Sequence, residues 1–215
     1  MDSAAVSKGD KVKRAFRTLV LFVCPCLILS ACAGSTLRVP GDLSRPGGDV
    51  VATGRAPQAV IADFSFTAVG EGVVGRDYDR ARTIVWSGEP GKAMADLVAA
   101  VLGERGVATV RQRADGKVAE TAPVRISGVL RRFEVNCRRT ANFTVSTEAT
   151  VSLTITAEGP GISGSLERTV TSSASLSDFF PTPDDLRQTL MSTANTVAEE
   201  TARTLLEAKV VSPSS

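Results

Sequence analysis

The sequence predicts an α+β fold: one mostly antiparallel sheet with two amphipathic helices packed on one face and the other face exposed to solvent. The main observation is the stretch 143–157, in which apolar residues alternate with seven Ser, Thr and Glu residues. Such alternation is typical of antiparallel sheets rather than of sheets covered by helices on both faces. Two longer stretches, 90–105 and 183–209, carry apolar residues every three or four positions, as amphipathic helices do.

Short strands are predicted around the first helix. Residues 59–69 alternate apolar and polar side chains, residues 83–86 are a second candidate, and residues 107–111 follow the helix as a third. Pro90 suits the first turn of the helix, and Gly106 suits the position just after its end. The glycine-rich segment before residue 83 is predicted to be a flexible loop, and residues 114–116 a turn.

The segment 124–135 changes the phase of its apolar alternation midway. Ile126 and Leu130 share one parity, whereas Phe133 and Val135 share the other. A β-bulge near Arg131 would bring both pairs to one face, because a bulge inserts one extra residue into a strand. We therefore expect a single bulged strand.

A hairpin and a long helix complete the predicted domain. The strand 143–157 continues through a Gly-Pro-Gly turn into its partner at 165–174. Thr182 and Asp185 have the spacing of a capping box, and Pro183 suits the first position of the helix 183–209. We expect its apolar face to pack on the sheet, with a coiled-coil seam as the alternative.

The N-terminal segment has the pattern of a lipoprotein signal peptide. A basic start precedes an apolar run from Leu19 to Leu29, which ends in Leu29-Ser30-Ala31-Cys32. The run is too short to span a bilayer, which needs roughly 20 residues. The pattern resembles that of bacterial lipoproteins, which are cleaved before the Cys and acylated on it. This resemblance implies a signal peptide over residues 1–31, cleavage between Ala31 and Cys32, and lipidation at Cys32.

Two other outcomes remain open for this segment. Cleavage after Ala33 would release a soluble protein, and an uncut apolar run would remain as a membrane anchor. Lipoproteins that are kept in the inner membrane usually carry Asp directly after the acylated Cys, whereas this chain carries Ala33. We therefore expect a lipid-anchored protein in the outer membrane, facing the periplasm.

The rest of the chain divides into three parts. Residues 32–57, rich in Gly and Pro after the lipidated Cys, are predicted to be a flexible tether. Residues 58–210 suit a single periplasm-facing α+β domain. Residues 211–215 are predicted to be a disordered tail.

Composition narrows the possible functions. After loss of residues 1–31 the chain has 20 basic and 21 acidic side chains, a net charge of −1 that argues against nucleic acid as a partner. The chain has no His, which removes the commonest general base and zinc ligand. With Cys32 lipidated, Cys137 remains without a disulfide partner; we favour a partly buried inert thiol at the end of a strand over a reactive thiol.

In the order of its elements, the chain resembles the YajG-like family of bacterial lipoproteins. The residues that carry the resemblance are Leu102-Gly103-Glu104-Arg105-Gly106-Val107 at the end of the first helix and Ala122-Pro123-Val124-Arg125-Ile126 at the start of a strand. The likeness extends over residues 60–208. It implies an envelope role without enzymatic activity, and of the site residues it assigns chemistry only to Cys32.

A glycine-rich motif and a pair of aspartates each have two possible interpretations. Residues 70–75 fit G-x-G-x-x-G, which binds dinucleotides only where a helix begins there. No amphipathic pattern follows, so we favour a hairpin loop. Asp77 and Asp79 could contribute to a cation site, but the neighbouring arginines favour neutralised loop charge. We therefore predict no catalytic residue, cofactor or metal.

Four arginines are candidates for partner binding, because guanidinium groups pair with phosphates and carboxylates. They flank the bulged strand and its following turn, at Arg131, Arg132, Arg138 and Arg139. The alternative is solubilising charge at the end of a strand.

Three functions follow from these features. The first is a non-enzymatic accessory or scaffold module of the cell envelope with a membrane contact through its lipid and an envelope protein as partner. The second is an auxiliary subunit of an envelope transporter that binds a hydrophobic substrate or a partner protein. A carboxylate-based enzyme is the least supported, because no two acids have an interpretable spacing.

Overall fold

The computed structural model describes residues 35–41, 43, 56–67, 72–112, 123–140, 143–160, 162 and 166–213. The predicted signal peptide, Cys32, Gly70 and the turn at 114–116 lie outside these residues. From Thr36 onward the chain forms one compact unit. The elements, in chain order, are β1 Thr36–Pro40, β2 Ala59–Ala62, β3 Ser65–Phe66, β4 Val73–Asp77, β5 Arg82–Ser87, α1 Pro90–Glu104, β6 Thr109–Gln112, β7 Val124–Arg139, β8 Val145–Glu158, β9 Leu166–Asp178 and α2 Pro183–Glu207.

The long strand β7 is the centre of the sheet. On one edge it pairs antiparallel with β8, and β8 pairs antiparallel with β9. On its other edge, three short strands, β2, β3 and β4, pair with β7 in parallel one after another. Beyond them, β6 pairs with β2 in parallel, β5 pairs with β4 antiparallel, and β1 pairs with β5 in parallel.

The α+β class is therefore confirmed, whereas the mostly antiparallel sheet is only partly right. The antiparallel half is the meander that the alternation of long strands predicts. The other half, parallel except for the pair β4–β5, is made of strands two to six residues long, and so short a segment shows no period from which its pairing could be inferred.

The bulge predicted in β7 is confirmed. Leu130 pairs with Leu153 and Arg132 with Ser152, so that Arg131 is the extra residue. Ile126 and Leu130 before the bulge, and Phe133 and Val135 after it, are all buried. The bulge thus keeps one apolar face along sixteen residues of strand.

The core lies between the sheet and the two helices, which also contact each other. The rings of Phe133 and Trp86 pack in a T-shaped arrangement with their centroids 5.2 Å apart. The rings of Phe133 and Phe66 pack in the same way with their centroids 6.3 Å apart. At its first turn, α1 closely approaches Phe64, the residue just before β3, because a Cβ on Gly91 would lie 1.9 Å from its carbonyl oxygen. Only glycine permits this contact.

The predicted start of α2 is confirmed. Thr182 accepts a hydrogen bond from the backbone of Asp185, and the Asp185 carboxylate accepts one from the backbone of Thr182, at 2.7 Å. The hydroxyl of Thr182 also donates to the Asp185 carboxylate, at 2.7 Å. This bond and the one from the Thr182 backbone lower the pKa of Asp185, because they stabilise its charged form. The capping box therefore fixes where the connection after β9 becomes helix.

The predicted tether and tail are wrong in part. Thr36–Pro40, within the predicted tether, forms β1, and Val39 is fully buried there, as is Leu43 nearby. In the predicted tail, Val211 is also buried. Leu37 and Val39 alternate with polar residues, but two apolar positions among many glycines and prolines are too weak a signal for a strand.

The polar face of β8 is less exposed than predicted. Ser152 and Thr154 are buried, with their hydroxyl oxygens 2.9 Å and 3.0 Å from those of Thr171 and Thr169 on β9. Cross-strand hydroxyl pairs of this kind satisfy polar groups without water. Phe143, predicted to begin the strand, lies outside it and is exposed.

One further element differs from its prediction. The segment Val73–Asp77 is a strand rather than a flexible loop. A Cβ on Gly75 would lie 1.8 Å from the carbonyl oxygen of Val135, so that glycine allows β4 to approach β7.

No helix in the part of the chain that the structure describes is long and apolar enough to cross a membrane.

Candidate functional site

Four strands meet at one end of the sheet, which we call the arginine end. Asp77, the last residue of β4, pairs with Cys137 of β7. Arg139, the last residue of β7, pairs with Val145 at the start of β8, and Val145 pairs with Asp178 at the end of β9. The arginine end therefore contains the turn between β4 and β5 and the connections after β7 and β9.

Asp77 organises the turn between β4 and β5. Its carboxylate is 3% exposed and accepts backbone hydrogen bonds from Asp79 and Arg80, both at 3.1 Å. The side chain of Arg82 donates two more, at 2.7 Å and 3.0 Å. A buried carboxylate with these partners has a structural role, because its charge and its oxygens are already satisfied.

The second aspartate of the turn joins it to β7. Arg139 donates to both carboxylate oxygens of Asp79, at 2.7 Å and 3.2 Å. The Arg139 guanidinium lowers the pKa of Asp79, and the carboxylate in turn raises the pKa of Arg139. With Arg82 paired to Asp77 and Arg139 to Asp79, both carboxylates are neutralised by arginines, as the interpretation of neutralised loop charge expects.

Arg138 has a different neighbour. Its guanidinium carbon lies 4.9 Å from the centroid of the Tyr78 ring, in a cation–π contact. Both side chains are exposed, with Tyr78 at 52%. Arg138 and Tyr78 therefore present positive charge and aromatic surface together at the arginine end.

The four candidate arginines do not form one cluster. Arg138 and Arg139 lie at the arginine end, whereas Arg131 and Arg132 lie at the bulge in the middle of β7. At about 3.3 Å per residue, the two pairs are about 20 Å apart along the strand. Arg131 and Arg132 are both exposed and therefore accessible to a partner. Partner binding by this pair stays a prediction.

The glycine-rich motif does not precede a helix. Gly72 begins a turn with φ of +70°, and β4 follows directly. A dinucleotide fingerprint needs a helix N-terminus at that point to bind the pyrophosphate, so this geometry does not support cofactor binding. Among the residues that the structure describes, no group of three or more acidic or sulfur side chains could hold a metal ion.

Cys137 is buried at the end of β7, 1% exposed, with its sulfur 3.6 Å from the hydroxyl oxygen of Thr147. Burial raises the pKa of its thiol, which disfavours the reactive thiolate. The structure thus confirms the burial of Cys137, and the raised pKa favours the inert thiol over the reactive one.

A groove with a volume of about 730 Å³ runs beside α2. Its described lining is polar apart from one methionine and comprises Asp184, Arg187, Gln188, Met191, Ser192, Asn195, Thr196 and Glu199. Pockets for hydrophobic ligands are lined mainly by apolar and aromatic side chains. This groove is therefore a poor match for the hydrophobic substrate of a transporter subunit.

Sequence reasoning missed the exposed phenylalanines at the arginine end. Phe143 precedes β8, and Phe179 and Phe180 follow β9. Phe143 fitted the apolar row of the predicted strand, and the other two fell in the connection before α2. The available signal was the pair Phe179-Phe180 beside Pro181, where an apolar pair interrupts an otherwise polar connection.

No protein-family model matches the sequence, and no curated protein matches it. Among solved structures, the chain is similar to a Xanthomonas campestris protein of the family model DUF330, with a TM-score of 0.53 and 15% identity. The alignment covers 82% of this chain and 95% of that chain. At this identity the likeness shows a common fold.

Two other bacterial structures have lower TM-scores. A minor lipoprotein from Acinetobacter baumannii has a TM-score of 0.36 and 11% identity, over 74% of this chain and 98% of that chain. A PelC dodecamer from Paraburkholderia phytofirmans has a TM-score of 0.39 and 13% identity, over 66% of this chain and 85% of that chain. Both scores are too low to establish a common fold, and the resemblance to the YajG-like family stays a prediction.

Proposed function

We propose that this chain is a lipid-anchored lipoprotein of the bacterial cell envelope that acts as a non-enzymatic accessory or scaffold module. The observation that carries the proposal is Leu29-Ser30-Ala31-Cys32, placed after a basic start and a short apolar run. Stable anchoring needs more than one acyl chain, and a Cys acylated on both its sulfur and its amine meets this requirement.

The chemistry of the described residues supports an interaction role. Cys137 is buried with a raised pKa, and both aspartates of the turn are engaged by arginines. The chain also has no His to serve as a general base. The outward-facing Arg131 and Arg132 are the proposed contact with an envelope protein, because guanidinium groups bind carboxylates bidentately.

The anchor is tested by intact mass spectrometry and detergent partitioning of protein expressed in the native host. Wild-type protein is expected to begin at Cys32, to carry acyl chains and to enter the detergent phase. Cys32→Ser is expected to retain residues 1–31 and to lack the acyl mass. The matched control is Cys137→Ser, which replaces a buried thiol and is expected to be processed as the wild type. An intact leader or an unmodified Cys32 in the wild type would contradict the proposal.

We further propose the outer membrane as the location, with the domain facing the periplasm. The supporting residue is Ala33, in the position where lipoproteins kept in the inner membrane usually carry Asp. Ala33→Asp is therefore expected to move the lipoprotein to inner-membrane fractions in a density gradient. Wild-type protein found in the inner membrane would disprove this location.

The proposed protein contact is tested by crosslinking in the same strains. Reversing the charge of Arg131 and Arg132 to Glu is expected to remove a defined crosslinked product. Arg125→Glu, an exposed position on the same strand, is the control and should leave that product intact. If the product survives the double reversal, this arginine pair does not contact the partner.

A further inference from the structure

The exposed hydrophobic side chains are concentrated at the arginine end. Of the large hydrophobic side chains that are exposed among the described residues, only Val110 lies elsewhere. We call the others the aromatic tip: Tyr78 at 52% exposure, Phe143 at 77%, Leu176 at 40%, Phe179 at 62% and Phe180 at 72%. Exposed apolar residues that are scattered singly over a surface are ordinary, whereas a concentration of them at one place marks an interaction surface.

The backbone at Phe143 supports the same conclusion. Its φ is +64°, in the left-handed region that bulky residues rarely adopt. Asn, Asp or Gly would relieve the strain at this position, but the chain places a phenyl ring there and leaves it in solvent. Strained residues of this kind cluster at functional surfaces.

The chain enters the domain at the same end. Thr36 of β1 pairs with Thr83 of β5, and Thr83 pairs with Arg76, the neighbour of Asp77 on β4. Thr36 is therefore level with the end of β7, about 24 Å from β9 across five strand spacings. Cys32 precedes Thr36 by four residues, so even an extended chain keeps it within about 14 Å.

We propose that the aromatic tip inserts into the surface of the bilayer in which the acyl chains of Cys32 are anchored. This inference rests on the proposed function, because the lipid brings the arginine end to the membrane. Aromatic side chains favour the interface between headgroups and acyl chains, where a docked surface reaches a depth of about 5–10 Å. The anchor and the tip together fix the orientation of the domain.

The charges at this end indicate that the aromatic rings, rather than anionic lipids, supply most of the attraction. Positive and negative side chains are present in equal number at this end: Arg76, Arg80, Arg82, Arg138 and Arg139 against Asp77, Asp79, Asp178, Asp184 and Asp185. A surface with both signs gains little from an anionic headgroup layer. Docking is therefore expected on zwitterionic vesicles as well as anionic ones, with little dependence on salt.

Two labels on the same strand test the proposal. The acylated protein is reconstituted into phosphatidylcholine vesicles, with and without phosphatidylglycerol, carrying an environment-sensitive fluorophore at Ser177→Cys or at Glu167→Cys. These exposed positions lie at opposite ends of β9, about 33 Å apart, and the buried Cys137 does not compete for the label. Lipids spin-labelled at the headgroup are the quencher.

We expect a blue shift and strong quenching at residue 177 and neither at residue 167. Replacing Phe143, Phe179 and Phe180 by Ser is expected to abolish the quenching at residue 177, while the protein still floats with the vesicles. Val110→Ser, an exposed apolar residue outside the tip, is the control and should leave the quenching unchanged.

The outcomes separate the two proposals. Equal, weak quenching at both positions in acylated, vesicle-bound protein would overturn membrane docking and leave a protein as the occupant of the tip, with the anchor intact. Protein whose Cys32 carries no lipid by mass spectrometry would overturn the proposed function and this inference together. Quenching at residue 177 that survives the triple substitution would show that the tip does not cause it.

Discussion

At the scale of single residues, the arginine end combines paired charges with exposed apolar side chains. Asp77 and Asp79 both accept hydrogen bonds from arginine side chains on neighbouring segments. The aromatic residues beside them remain in solvent. Ion pairs hold the turn in place, and the rings next to it are left available for contact.

The pair Asp79–Arg139 gives a prediction about acid stability. Asp79 has a lower pKa folded than unfolded, so it stabilises the fold above its unfolded pKa of about 4, and this contribution is lost as pH falls through the folded value. Arg139→Gln removes the main cause of the lowered pKa. We expect the free energy of unfolding of the variant to fall less between pH 6 and pH 3 (about the range of carboxylate titration) than that of the wild type.

The measurement is urea unfolding followed by the fluorescence of Trp86, the single and buried tryptophan. Arg138→Gln is the control, because Arg138 contacts Tyr78 rather than a carboxylate. Identical pH dependence in Arg139→Gln and the wild type would show that the pair contributes nothing to acid stability.

At the scale of elements, helix α1 contains two glycines with opposite expected effects. A Cβ at Gly91 would collide with the backbone of Phe64, whereas a Cβ at Gly103 meets nothing within 4 Å. Gly91→Ala is expected to lower the free energy of unfolding by about 1–3 kcal/mol through overpacking. Gly103→Ala is expected to raise it by up to about 1 kcal/mol, because alanine favours the helix.

Both variants are measured by chemical denaturation under one condition, so that each controls for the other. Equal effects of the two substitutions would show that the close approach of α1 to Phe64 is absent in solution.

Sequence patterns predicted the elements whose signal is local. The phase change around Arg131 located the bulge, and Thr182 with Asp185 located the start of α2. The same patterns could not predict β1 or β4, because each is only five residues long. In addition, β1 pairs with a distant segment, and Gly72 and Gly75 give β4 the composition of a loop. At the site, charge neutralisation could be inferred from neighbouring residues, whereas the meeting of Phe143 with Phe179 and Phe180 at one end depends on the register of β8 and β9.

At the scale of the whole molecule, β1 extends the folded part of the chain toward the predicted anchor. Val39 is fully buried and pairs with Trp86, whereas its neighbour Arg38 is exposed. The folded unit therefore begins at Thr36 rather than at residue 58. The stretch between a lipid on Cys32 and the first strand shrinks to a few residues, which limits how far the domain can move from the membrane.

Val39→Ala is expected to lower the free energy of unfolding by about 1–3 kcal/mol, because it removes buried methyl groups and leaves a cavity. Arg38→Ala, on the exposed side of the same strand, is expected to change it by less than about 0.5 kcal/mol. Urea unfolding monitored through Trp86 reports on both, since Trp86 lies on β5 in register with Val39 of β1. No difference between the two variants would mean that β1 is not part of the cooperative unit.

The central place of β7 has a consequence for biosynthesis. The groups β1–β5–β4 and β2–β6 join the rest of the sheet through β7, which leaves the ribosome after all of them. Until then the nascent chain holds strand edges that have no neighbour, and such edges invite aggregation. Because the proposed lipoprotein would be exported before it folds, we expect the polypeptide to require chaperone protection until β7 has crossed the membrane and joined the sheet.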